Sequence, residues 1–163
     1  MKLNDQAAII TGSARGIGRA IAIALAREGC NVVINSRTKK EVDATAKEIE
    51  KLGSDVLPMV ADVSNEKDVS RMVNEAMKKF GRVNILVNNA GVAAYKDFSK
   101  MSQKEIDDIL NINLRGLILC TKHVLPHMIK QKYGRIINIS SGAGKTGLAG
   151  LAVYCASKFG VIG

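Results

Sequence analysis

The sequence has no tryptophan, two prolines, three cysteines and only 4% aromatic residues in a length of 163. Each scarcity excludes something. Cys30, Cys120 and Cys155 are odd in number and far apart, with no Cys-x-x-Cys pair, which argues against a disulfide framework and a structural zinc site. His123 and His127 are four apart, but no carboxylate completes a zinc motif, and no metal is expected. So few aromatic rings leave little for single-stranded nucleic acid to stack on. The basic excess, formally +9, is dispersed from Lys2 to Lys158, and its longest runs are the pairs Lys39-Lys40 and Lys78-Lys79. Nucleic acid is therefore not an expected partner; a solvated basic surface suited to an anionic substrate is. No apolar run approaches the ~18 residues that cross a bilayer, so no membrane partner is expected. The start, Met1-Lys2-Leu3-Asn4-Asp5, turns polar too early for a secretory signal, and a cytoplasmic location is the expectation.

What is present is the ordinary balance of a globular chain, 47% apolar and 24% charged. Residues 1–163 fit a single domain, able to bury roughly 70% of its unfolded surface. Short β-rich runs alternate with helical periodicity. Residues 7–11 form an apolar run that stops at Gly12; residues 17–26 read as a helix closed by Gly29. Residues 31–36 are the second strand, and Thr38 to Glu41 has the pattern of a capping box opening a helix that ends by Gly53. Residues 56–61 are the third strand, which Pro58 either weakens or places at a sheet edge; Ser64 is the expected cap of the next helix, ended by Gly81. Residues 85–88 are strand four. Ser102 to Glu105 is a second capping box, Pro126 is expected to bend or end the helix that follows, and residues 135–140 are strand five. A partial helix from Tyr154 closes the chain. Apolar strands each followed by a helix predict an α/β fold of Rossmann-like, doubly wound type: a parallel sheet in a three-layer α/β/α sandwich.

The turn after the first strand reads Thr11-Gly12-Ser13-Ala14-Arg15-Gly16-Ile17-Gly18. Glycines there permit positive φ and bring backbone N–H groups close to a pyrophosphate at a helix N-terminus. Its Gly-x-x-x-Gly-x-Gly spacing is a variant of the dinucleotide fingerprint, and no Gly-Lys-Ser/Thr follows to make a Walker loop. Such a turn can also be purely structural; its position in an alternating chain favours a nucleotide. Where an NAD site expects a carboxylate, the second strand ends Asn35-Ser36-Arg37. Arg37 with Arg15 can fork a 2′-phosphate, with Lys39 and Lys40 adding field, so NADP(H) is preferred and NAD(H) remains possible. The plainer alternative is a solvated loop charge at Arg37.

Tyr154 and Lys158 stand at i and i+4, on one face of a helix. A free phenol titrates near 10, and a cation about 4 Å away at an effective dielectric near 20 contributes ~4 kcal/mol, enough to bring a phenol into working range. Ser141 lies just past strand five. With Gly12, Asn89 and the last helix it falls at the carboxyl ends of the strands, where open parallel sheets bind ligands.

Thr11 to Gly18, Asp62-Val63, Asn88-Asn89-Ala90-Gly91, Asn113, Ser141 and Tyr154 to Lys158 together resemble the short-chain dehydrogenase/reductase family, in its order and spacing. The run Gly134 to Ser141 is most similar to the 3-oxoacyl-[acyl-carrier-protein] reductase branch. The resemblance implies four catalytic residues. Tyr154 would be the proton donor to a carbonyl and Ser141 a hydrogen-bond donor to the same oxygen. Lys158 would stabilise the phenolate and bind the nicotinamide ribose, and Asn113 would hold a relay water. For the cofactor it implies Gly12, Ser13, Arg15, Gly16, Ile17 and Gly18 at the pyrophosphate, Ser36 and Arg37 at the adenosine ribose, Asp62 and Val63 at adenine, and Asn89, Ala90 and Gly91 behind the ribose. Asn113 also has a plainer reading, as a polar kink in a long helix. Cys155 reads as a packed thiol. The implied activity is NADP(H)-dependent hydride transfer to a carbonyl, a 3-oxoacyl thioester above all, in a homo-oligomer (dimer or tetramer) where the family's C-terminal part is present. A small ketone, steroid or sugar substrate stays open, as does a non-catalytic nucleotide-binding or oligomer-forming protein. The sequence stops five residues after Lys158, so the expectation is a C-terminally truncated member lacking strands six and seven, with residues 135–140 as an open apolar edge.

Overall fold

The computed structural model describes residues 1–163. Five strands form one parallel sheet: β1 (Ala7–Ile10), β2 (Asn31–Ser36), β3 (Val56–Val60), β4 (Ile85–Asn88) and β5 (Arg135–Asn138), in the order β3-β2-β1-β4-β5. Between them run α1 (Gly16–Arg27), α2 (Lys39–Glu50), α3 (Glu66–Phe80), α4 (Gln103–Leu110) and α5 (Gly116–Gln131), and α6 (Ala152–Ile162) follows β5. This is the expected doubly wound sheet.

Alternation along the strands decides which helix packs where. Ala8, Ile10, Val32 and Ile34 point to one face and meet Ala22, Ala26, Val42 and Ile49 of α1 and α2. Ile9, Val33 and Leu86 point to the other and meet Val69, Met72 and Val73 of α3 with Leu119 and Val124 of α5. With both faces covered, β1 is apolar and buried at every residue, and β2 and β4 are apolar along most of their length. Pro58 sits in β3 at the sheet edge, as its missing N–H demands. At the opposite edge β5 is half exposed, with Ile137 at 46%.

Two local expectations need correction, and one alternative of a third. Thr38 makes no side-chain cap bond. α3 is capped by Asn65, whose Oδ1 accepts from Lys67 and Asp68 N–H, because the Ser64 hydroxyl is drawn to Asp62 Oδ1 at 2.7 Å. Pro126 does not end α5, which continues to Gln131; proline there removes one helical bond, to the Lys122 carbonyl, while buried Leu119, Cys120, Val124 and Met128 hold the helix to the core. The box at Ser102 is formed: Glu105 accepts from Ser102 N–H at 2.7 Å, and Ser102 Oγ accepts from Glu105 N–H at 3.2 Å. Between α4 and α5 the chain takes a π turn over Asn111–Arg115, which sequence periodicity did not anticipate.

The Ser102 N–H and Lys96 Nζ hold the Glu105 carboxyl down to about 2. A carboxyl whose folded pKa is depressed stabilises fully above its unfolded value, near 4.3, and loses that contribution as pH falls through the folded value. The difference in urea midpoint between the unaltered chain and Glu105→Gln should therefore be widest near neutrality and close as pH falls from about 5 toward about 2. A difference constant over that range would contradict it.

Candidate functional site

The sheet order reverses between β1 and β4, and there the carboxyl ends of the strands open into a groove of about 330 Å³. Gly12, Arg15, Gly16, Ile17 and Gly18 line it from the glycine turn. Ser36 and Arg37 line it from the end of β2, Asp62 and Val63 from beyond β3, and Asn89, Ala90 and Gly91 from beyond β4. All the sequence-identified cofactor residues of these four segments thus face one cleft, apart from Ser13.

Ser13 is fully buried; its Oγ donates to the Ile10 carbonyl at 2.6 Å and accepts from Asn35 N–H at 2.9 Å. It shapes the turn from behind, leaving only its neighbours to face the groove. Asn35 was not singled out from sequence, yet it joins three segments. Its carbonyl accepts from Ser13 N–H at 2.8 Å, its Oδ1 from Gly12 N–H at 3.4 Å, and its Nδ2 donates to the Ala61 carbonyl at 3.0 Å. A polar residue inside an apolar strand is the signal that could have found it.

The glycines are required by space. Gly12 has φ +63°, and a Cβ on it would lie 2.9 Å from Ala90 Cα. A Cβ on Gly18 would collide with Asn89 Nδ2 and the Gly12 carbonyl. Close packing of turn against β4 excludes any side chain there.

At the β2 end Arg37 and Asp62 form a loose ion pair, Nη1 to Oδ2 at 3.7 Å. Asp62 Oδ1 is taken by Ser64 N–H and Oγ, and the Asp62 N–H donates to Asp68 at 2.9 Å. That bond, with Arg71, holds the Asp68 carboxyl below the usual carboxylate range. Lys39 is paired with Asp43 at 2.6 Å, which offsets the field expected from it.

The other cluster continues from Gly91. A Cβ placed there would be 3.4 Å from Asn113 Oδ1 and 3.7 Å from Lys158 Nζ. Lys158 is 5% exposed, and its Nζ donates to the Ile139 carbonyl at 2.9 Å. Burial pushes its ammonium pKa down. Nζ stands 5.7 Å from the centroid of the Tyr154 ring, on the shared face of α6. Ser141 is half-buried just past β5, and its Oγ accepts from Ala143 N–H at 3.1 Å. Asn113 lies in the π turn with its side chain bonded to both polar groups of Val92. Ser140, read from the sequence only as the end of strand five, lies past β5 and donates to the Lys158 carbonyl at 3.0 Å. Cys155 is a packed thiol, as expected, and burial pushes the Cys30 and Cys120 thiols up to about 12. No helix is long and apolar enough to cross a membrane.

Comparison with known proteins gives this geometry relatives. Over 159 residues the chain is 40% identical to the 3-oxoacyl-[acyl-carrier-protein] reductase FabG of Staphylococcus aureus, covering 97% of this chain and 65% of that protein. It is 39% identical over 163 residues to the FabG of Thermotoga maritima, covering 66% of it. The chain thus spans about two thirds of the length of these curated relatives. A metagenomic short-chain oxidoreductase crystallised with NADP superposes with a TM-score of 0.95 at 36% identity, over 99% of this chain and 74% of that one. The model of the short chain dehydrogenase family matches residues 6–163, from the start of β1 through α6. A match that takes in the glycine turn, the groove and the Tyr154 helix in one continuous span makes this chain a member of the short chain dehydrogenase family.

Proposed function

We propose that the chain carries the NADP(H) site and the catalytic residues of an oxidoreductase acting on a carbonyl or secondary alcohol, with a 3-oxoacyl thioester as substrate. The observation that carries the reading is the groove at the β1/β4 reversal. It is walled by a glycine turn that admits no side chain at Gly12 or Gly18, and it ends beside the buried Lys158.

The groove's residues fit a dinucleotide. Backbone N–H groups at the start of α1 suit a pyrophosphate. Arg15 and Arg37 flank the adenosine end, and Ser36 stands where a carboxylate would repel a 2′-phosphate. The NADP-bound relative with the same fold supports that choice. Asp62 and Val63 serve the adenine, and Asn89, Ala90 and Gly91 the ribose.

When bound, the nicotinamide supplies or accepts a hydride. The chain's own residues handle the oxygen and its proton. The Tyr154 hydroxyl gives a proton to the carbonyl oxygen, and Ser141 Oγ donates a hydrogen bond to that oxygen as charge develops on it. Lys158 stabilises the phenolate left behind. Asn113 serves the proton relay from the π turn; its side-chain amide is occupied by Val92, so a relay water would be held by its main chain. The net charge of +9 suits an anionic thioester carrier, and the FabG relatives support that class. Ile118, Leu125 and Ile129, exposed along one face of α5, support assembly as a homo-oligomer.

Fluorescence titration should give NADPH binding tighter than NADH by about tenfold or more, the worth of charge-assisted bonds to one phosphate. Arg37→Ala should erase that preference, and Gly18→Ala should abolish binding of both. Equal binding of both dinucleotides by the unaltered chain would contradict the NADP(H) assignment. Reduction of acetoacetyl-coenzyme A should fall about 100- to 10,000-fold in Tyr154→Phe, with NADPH affinity retained. Tight binding without turnover would instead leave a nucleotide-binding protein.

A further inference from the structure

Ser157 touches neither the groove nor any surface; it is fully buried between Tyr154 and the π turn. Its Oγ donates to the Tyr154 carbonyl at 2.7 Å and accepts from Asn113 Nδ2 at 3.0 Å. Asn113 in turn accepts from Val92 N–H through Oδ1 and donates to the Val92 carbonyl through Nδ2, both at 2.8 Å. The result is one buried chain of bonds from the groove wall at Val92, through the π turn, to the first turn of α6. We infer that Ser157 is a positioning residue: it couples Asn113 to the helix of Tyr154 and Lys158 and so sets where phenol and ammonium stand relative to the groove. The inference rests on the oxidoreductase reading for its kinetic consequence.

The position needs a hydroxyl, because one atom must donate and accept at once. Alanine does neither. It would leave a buried N–H of Asn113 and its hold on α6 without a partner, where water has no access. Cysteine keeps the volume but is a weak partner in both directions, whereas threonine restores the hydroxyl. Ser140 holds the other end of the same segment through the Lys158 carbonyl, so losing Ser157 frees the Tyr154 end selectively. Misplacement of a reacting group by a fraction of an ångström lowers turnover more than affinity.

The test uses Ser157→Ala, Ser157→Cys and Ser157→Thr in the full chain, read by kinetics and by amide hydrogen exchange. In the alanine and cysteine variants kcat for acetoacetyl-coenzyme A should fall about 10- to 100-fold. The KM for NADPH should stay unchanged and the pH profile of kcat should shift. Threonine should restore both. The Val92 amide should exchange about tenfold faster or more in the alanine variant, while the Ile9 and Leu86 amides in the sheet keep their protection. The cysteine variant carries the same readouts if alanine prevents folding. Unchanged kcat, pH profile and Val92 exchange would overturn the inference. If the unaltered chain reduces no carbonyl, the oxidoreductase reading fails, and Val92 exchange alone decides the coupling: no change on removing the hydroxyl overturns it.

Discussion

The stitch between Thr11 and Asn89 is the contact on which the site depends. Thr11 Oγ1 accepts from both Asn89 N–H and Ala90 N–H at 3.0 Å, and Asn89 Nδ2 donates back to the Thr11 carbonyl at 2.9 Å and the Gly12 carbonyl at 3.2 Å. Parallel strands that diverge at a sheet reversal have no further ladder bonds past their ends, and their backbone groups need partners from side chains. These two residues provide them. They fix the glycine turn against the β4 loop at a separation that leaves no room for a Cβ at Gly12 or Gly18, and the groove is the space in front of that contact.

Behind the turn a second layer of polar residues sets its shape. Ser13 and Asn35 join it to β2 and to the end of β3, and Thr45 of α2 donates to the Ala14 carbonyl at 3.0 Å. All three side chains are at most 2% exposed. Each is satisfied by backbone groups, so burial costs little and the geometry is single-valued. Preorganisation of this kind holds the turn, with the Gly12 and Ser13 N–H groups bonded back to Asn35, in a shape that need not reorganise when an anion arrives at the start of α1.

How far this was legible in the sequence differed by kind of feature. The parallel sheet followed from apolar strands alternating with helical periods, whereas Pro58 left β3 either weakened or at an edge, and the fold places it at the edge. The groove residues were legible because Gly, Arg and Asp carry their chemistry in their type. Asn35, Ser140 and Ser157 were not, because a serine or asparagine reads the same whether it faces water or joins two buried segments; only the fold says which. The caps show the same limit. Ser102 with Glu105 formed the box its pattern suggested, whereas Thr38 did not, and Ser64 lost its cap to a nearer carboxylate at Asp62. The π turn at Asn111–Arg115 is set by packing that places Asn113 against Val92 and Ser157, a tertiary demand that local periodicity does not record.

Amide hydrogen exchange of the chain with and without NADPH reads whether the β1/β4 groove takes a dinucleotide. Added protection should be confined to the glycine turn at residues 12–18, the β2 end at Ser36 and Arg37, residues 62–63 and residues 89–91. Protection that is absent at saturating NADPH, or that falls on the outer face of α5 and leaves the glycine turn unchanged, would contradict the account.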